Sequence, residues 1–168
     1  MKRAVALLTF SLAMLPWCEA GAAPVKIVFD ADIDSDCDDL GALSVLHALA
    51  DNGEAEILAT ISSSKNEWTP ACIDAINTFY GRPDLPIGQP KGAGTQKASK
   101  YAKQIAEKFP NDIGRGEKVP DAMDVYRKVL AAQADGSVVV VTVGYLTNVS
   151  DLLKLPASGN QPSGLDLI

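Results

Sequence analysis

Val25-Lys26-Ile27-Val28-Phe29-Asp30-Ala31-Asp32-Ile33-Asp34-Ser35-Asp36-Cys37-Asp38-Asp39 is the stretch whose reading decides the fold. A short apolar run ends abruptly in acid, with six aspartates between residues 30 and 39. Apolar residues at helical spacing follow at once: Leu40, Ala42, Leu43, Val45 and Leu46. The pattern predicts a buried strand over 25–29, an acidic loop, and a helix over 38–50. Asp38 and Asp39 fall in that helix's first turn, where negative charge suits the dipole. Carboxylates this crowded repel one another and raise each other's pKa. A hard divalent cation would relieve the repulsion, and aspartate oxygens are the ligands it prefers. Open α/β sheets place their sites in loops at the carboxyl ends of strands. The expectation is a metal-centred site at the end of the first strand.

Outward from this stretch, strands and helices alternate. Residues 56–61 read as a second strand and 62–66 as a polar loop. Thr69-Pro70 opens a helix to about Tyr80, with Pro70 tolerated in the first turn. Ile87 fits a short third strand, 89–96 a loop, and 101–109 a helix. A helix over 122–134 presents Met123, Val125, Tyr126, Val129 and Leu130 on its apolar face. Residues 137–143 hold five valines, and such a continuous apolar run predicts a parallel strand covered on both faces. A short helix to about Leu155 follows, with Asn148 expected to cap it. The class is α/β, a mainly parallel sheet with flanking helices, although the strand order is not readable from this pattern.

The chain has 168 residues, 47% hydrophobic and 21% charged, with a formal charge of -6. This suits one globular domain with a core, and the acidic balance argues against a nucleic-acid partner. Lys2 and Arg3, the apolar run 4–15 and Ala20-Gly21-Ala22 form a signal-peptide pattern over 1–22, leaving a domain over 23–168. The apolar run is too short to span a bilayer. Export to a periplasmic or secreted location, with no stable membrane anchor, is expected. Cys18 would leave with the signal; Cys37 and Cys72 are open to a disulfide or to two free thiols. His47, the one histidine, reads as a helix residue without a catalytic part.

Several readings of the acidic loop compete. An EF-hand counted from Asp30 puts Ser35 where glycine is needed and Gly41 where the bidentate glutamate belongs. A magnesium phosphatase of the haloacid-dehalogenase type would use Asp30-Ala31-Asp32, with Ser62 after the second strand, but does not place an Asp38-Asp39 pair there. A merely solvated loop leaves six acids between a buried strand and a buried helix without compensation. The stretch Asp30 to Leu43 instead resembles the amino-terminal signature of nucleoside hydrolases, an Asp-x-Asp followed by an Asp-Asp pair opening the first helix. Val140-Val141-Thr142-Val143-Gly144-Tyr145-Leu146-Thr147-Asn148 is similar to that family's strand ending in Gly-x-Leu-Thr-Asn. The resemblance covers residues 25–168 and implies a Rossmann-like nucleoside hydrolase fold, of which this chain matches the amino-terminal half.

The resemblance also implies a chemistry: calcium-dependent hydrolysis of a ribonucleoside's N-glycosidic bond to ribose and free base. On the matching positions, Asp32 is both calcium ligand and general base. Asp39 and the main-chain carbonyl of Val143 are further calcium ligands, and Asp38 and Asn66 bind ribose. Asp30 is a supporting acid, and Asp36 an extra acid near the ion or a solvated one. Asp34 stands where the family has glycine. An ungapped alignment would shift the pair to Asp32 and Asp34; the end of the apolar run at Phe29 favours Asp30 and Asp32. Trp68 and Tyr145 are open to a base-lining or a packing role. The expected partner is a small-molecule nucleoside, with homo-oligomerisation open. The alternatives retained are a non-catalytic ribose- or nucleoside-binding remnant and the dehalogenase-type phosphatase.

Overall fold

The computed structural model describes residues 22–92, 94–95, 98–114 and 119–168. The expected signal segment with Cys18, apart from Ala22, and part of the 89–96 loop lie outside the described residues. Among the described residues the elements are, in chain order, β1 Val25–Ala31, α1 Asp38–Asp51, β2 Ala55–Ser62, α2 Thr69–Phe79, β3 Ile87–Gly88, α3 Ala102–Lys108, α4 Ala122–Leu130, β4 Val138–Thr142 and α5 Thr147–Lys154. The strands form one parallel sheet in the order β3-β2-β1-β4. The expected class, a parallel sheet with flanking helices, is what the chain builds.

Alternation along the strands sorts side chains onto two faces. Phe29, Ala31 and Ile57 join Leu43, Leu46, Cys72, Ile73, Ile76 and Ala102 on the α1–α3 face. Val28, Ala59 and Ile61 join Ala122, Val125, Tyr126 and Leu152 on the α4–α5 face. Ile57 and Ala59 are two residues apart yet lie on opposite faces, because the β1–β2 register shifts between Ile27 and Val28. The extra residue in β2 is a bulge that inverts the alternation. Beyond it, Asp30 shares the parity of Val28 and points toward α4 and α5.

Two expectations are corrected. β4 is parallel but lies at the sheet's edge, its residues half-exposed, with Val139 48% exposed. An unbroken run of valines reports β-propensity and some burial, not the strand's place in the sheet. The helix expected to Ala134 stops at Leu130, where Ala131 caps it and Gln133 N turns back to donate to Leu130 O. Among the described residues, no helix is long and apolar enough to cross a membrane.

Candidate active site

β1 ends at Ala31, so the acidic loop leaves the carboxyl edge of the sheet beside the ends of β2 and β4. The Val143 amide donates to Asp30 O at 2.9 Å, carrying the β1–β4 pairing one residue past the strand. Gly144 then passes so close that a Cβ there would stand 2.4 Å from Ser63 Oγ and 2.5 Å from Asp32 N. A glycine is required at that crossing. From the other side, Thr69 Oγ1 at the start of α2 donates to Asp32 O at 3.4 Å. Asp32 is thus the point where the loops after β1, β2 and β4 meet.

The aspartates take different environments. Asp30 has no exposed surface. Its Oδ2 accepts from Tyr126 Oη at 2.7 Å and from Asn148 Nδ2 at 2.9 Å. Burial pushes its pKa up to about 6, against the pull of the Tyr126, Asn148 and Ser63 hydrogen bonds. Asp32 is half-buried and its pKa is also raised to about 6, first by burial and then by the neighbouring Asp39 charge. Asp39 is buried and raised in turn, chiefly by burial, although its Oδ2 accepts from Asp32 N at 3.0 Å and Ile33 N at 2.7 Å. Asp32 and Asp39 titrate as a pair. Asp38 and Asp36 are exposed. Asp34 is buried; its carboxylate accepts from Tyr145 Oη at 2.8 Å and its carbonyl from Lys100 N at 3.1 Å.

The structure therefore brings Asp32 and Asp39 into contact, with Asp38 on the adjoining first turn of α1 and Val143 beside the end of β1. Asn66 stands in the neighbouring loop, where its Oδ1 accepts from Trp68 N at 2.9 Å and its carbonyl from Gln89 Nε2 at 2.8 Å. Trp68 packs against the α1–α3 core with Lys103 Nζ 5.5 Å from its ring centroid. Cys37 is exposed and Cys72 buried, both as free thiols, and burial drives the Cys72 pKa to about 12.

Asn148 does not cap α5, whose N-cap is Leu146. It reaches instead from inside the helix to Asp30 and to Ser62 O, the latter at 2.9 Å. Sequence reasoning missed Tyr126 in this role, having placed it only on an apolar helix face. It also missed Ser63, whose hydroxyl accepts from Tyr145 N at 3.1 Å. The one available signal was the hydroxyl on an otherwise apolar stripe, since a buried tyrosine needs a polar partner.

In kind, the donors suit calcium: hard carboxylate oxygens, crowded together. In number they fall short of the roughly six to eight oxygens that ion takes. Among the described residues, no group of three or more His, Cys, Asp or Glu side chains is arranged to hold a metal. The balance of a coordination shell here would be main-chain, water or substrate oxygen.

No protein-family model and no curated protein matches the sequence. Among solved structures, the fold is similar to the effector protein XOO4466, with a TM-score of 0.59 and 16% identity over 80% of this chain and 40% of that one. It is also similar to the plant nucleoside hydrolase PpNRh1, with a TM-score of 0.57 and 19% identity over 78% of this chain and 43% of that one. The chain spans less than half the length of either, and at these identities what it shares with them is the α/β fold.

Proposed function

We propose that this chain carries the amino-terminal part of a nucleoside hydrolase-like active site, exported and calcium-dependent, that splits a ribonucleoside into ribose and free base. The observation that carries this reading is the Asp32–Asp39 pair: two raised, mutually repelling carboxylates at the carboxyl end of the first parallel strand, one of them half-exposed. Asp32, Asp39 and the Val143 carbonyl would hold calcium. When bound, the ion supplies positive charge that lowers the pKa of a water and orients it. Asp32 takes the proton as that water attacks the anomeric carbon. The new C–O bond forms as the C–N bond breaks, its electron pair leaving with the base, which is protonated from solvent. Asp38 and Asn66 Nδ2 bind ribose hydroxyls. Asp30 stays beneath, tied to Tyr126 and Asn148.

That burial weighs against the dehalogenase-type alternative, whose nucleophile would have to be Asp30. The second reading is a ribose- or nucleoside-binding protein without turnover. Release of reducing sugar from inosine and uridine, with calcium and after chelation, separates the two. Calcium-dependent release that falls by about 100-fold or more in Asp32→Ala supports the hydrolase. No release, with nucleoside binding seen by calorimetry, leaves the binding protein. Release that survives Asp32→Ala moves the base to Asp34.

A further inference from the structure

Ile33 follows the proposed base in sequence and is the one non-glycine residue with a positive φ among the described residues, at 53°. A β-branched residue in the left-handed region is a backbone outlier that persists only where its surroundings over-determine it. Here they do. The Ile33 side chain is fully buried on the α1–α3 face among Phe29, Ala31 and Leu43. Just beyond it, Asp34 is fixed by Lys100 N and Tyr145 Oη. The left-handed turn reconciles the two anchors by reversing the chain. The reversal returns Asp39, six residues on, to the amides of Asp32 and Ile33, both of which donate to its Oδ2. Successive amides converging on one anion form a nest.

We propose that Ile33 is a positioning residue for Asp39: its left-handed backbone, rather than its side chain, holds the Asp32 and Ile33 amides on Asp39 Oδ2, and so fixes the carboxylate that the calcium reading makes a ligand. The part of this that concerns a cation rests on the calcium reading above; the hydrogen-bond geometry does not. Glycine adopts the left-handed conformation without strain and has no side chain. Proline cannot reach it and has no amide. The two substitutions therefore separate backbone from packing.

The test is the amide proton shift of Asp32 in labelled wild-type, Ile33→Gly, Ile33→Pro and Asp39→Asn proteins, with a calcium titration of each. Ile33→Gly should melt at a lower temperature yet keep the wild-type Asp32 amide shift, and keep calcium affinity within about threefold. Ile33→Pro should move the Asp32 amide as Asp39→Asn does and weaken calcium by about tenfold or more. A folded Ile33→Gly protein whose Asp32 amide moves to its position in Asp39→Asn overturns the proposal, and decides the matter alone if the proline variant does not fold. Wild-type protein that binds no calcium while the amide pattern follows expectation removes the metal reading and leaves Ile33 in its role.

Discussion

Two buried polar networks flank the sheet, and they solve the same problem differently. Within the α1–α2 layer, His47 is fully buried and stacked on Tyr80 at 4.7 Å. Its Nε2 lies 3.0 Å from Asn77 Oδ1, and Asn77 Nδ2 donates to Thr60 Oγ1 at 3.0 Å. The Asn77 oxygen can only accept, so Nε2 carries the proton and Nδ1 accepts from Arg82 Nη1 at 3.4 Å. Arg82 is itself paired with Asp51 at 2.6 Å. Charge there meets opposite charge. At the carboxyl end of β1, Asp30 Oδ2 accepts from two neutral donors while its Oδ1 is buried without a partner among the described residues, whereas Asp32 and Asp39 are like charges held against each other. Burial of a polar group is thus not what distinguishes a site in this molecule; crowded like charge is.

The comparison can be broken where it is strongest. If Asp39 belongs to a cation site, Asp39→Asn should weaken calcium binding by about tenfold or more in calorimetry, near 1.4 kcal/mol. An unchanged affinity would remove it from the ligands and make the acidic loop a structural network like the other. Conversely, Asn77→Ala should cost stability and nothing else. It strands the His47 Nε2–H and the Thr60 hydroxyl in the core, which costs about 1–3 kcal/mol in denaturant unfolding, while calcium affinity stays at the wild-type value.

The smallest effect is in pH. Burial lowers the His47 pKa. Between that lowered value and the unfolded one near 6.5, the unfolded chain binds a proton that the folded chain does not, so stability is lost as pH falls below about 6.5. Asp30 and Asp32 lean the other way. Raised from 3.8 to about 6, they hold protons in the folded chain that the unfolded chain has released, so stability is lost as pH rises through that window. His47→Gln should therefore reduce the stability at about pH 7.5 relative to that at about pH 5, measured without calcium. An unaltered difference would mean that His47 titrates normally.

Much of this was legible in the chain. The break from apolar run to aspartates sets the end of β1 and the start of α1, and Asp38 is the first helical residue as the pattern required. The alternation of strand and helix signals gives the class. What could not be read depends on residues about a hundred positions apart. Tyr126 and Asn148 meet Asp30 only through the packing of α4 and α5, and a helix stripe does not say which residue looks at a strand end. The edge position of β4 depends on strand order, to which periodicity is blind. The left-handed turn at Ile33 runs against local preference, since isoleucine is among the residues least suited to it. Gly144 sat in a recognisable motif, but the contact that requires it is with Ser63 and Asp32.

Trp68 lies under Lys103 next to the loop that holds Asn66, and it is the one tryptophan among the described residues. A chain beginning at residue 23 would carry it as its single indole fluorophore. Its emission, excited beyond the tyrosine band, would then report one place, the turn between Asn66 and α2. Movement of the 66–69 loop or withdrawal of the Lys103 ammonium on ligand binding would shift that emission, giving an optical titration of the site that needs neither turnover nor an added dye.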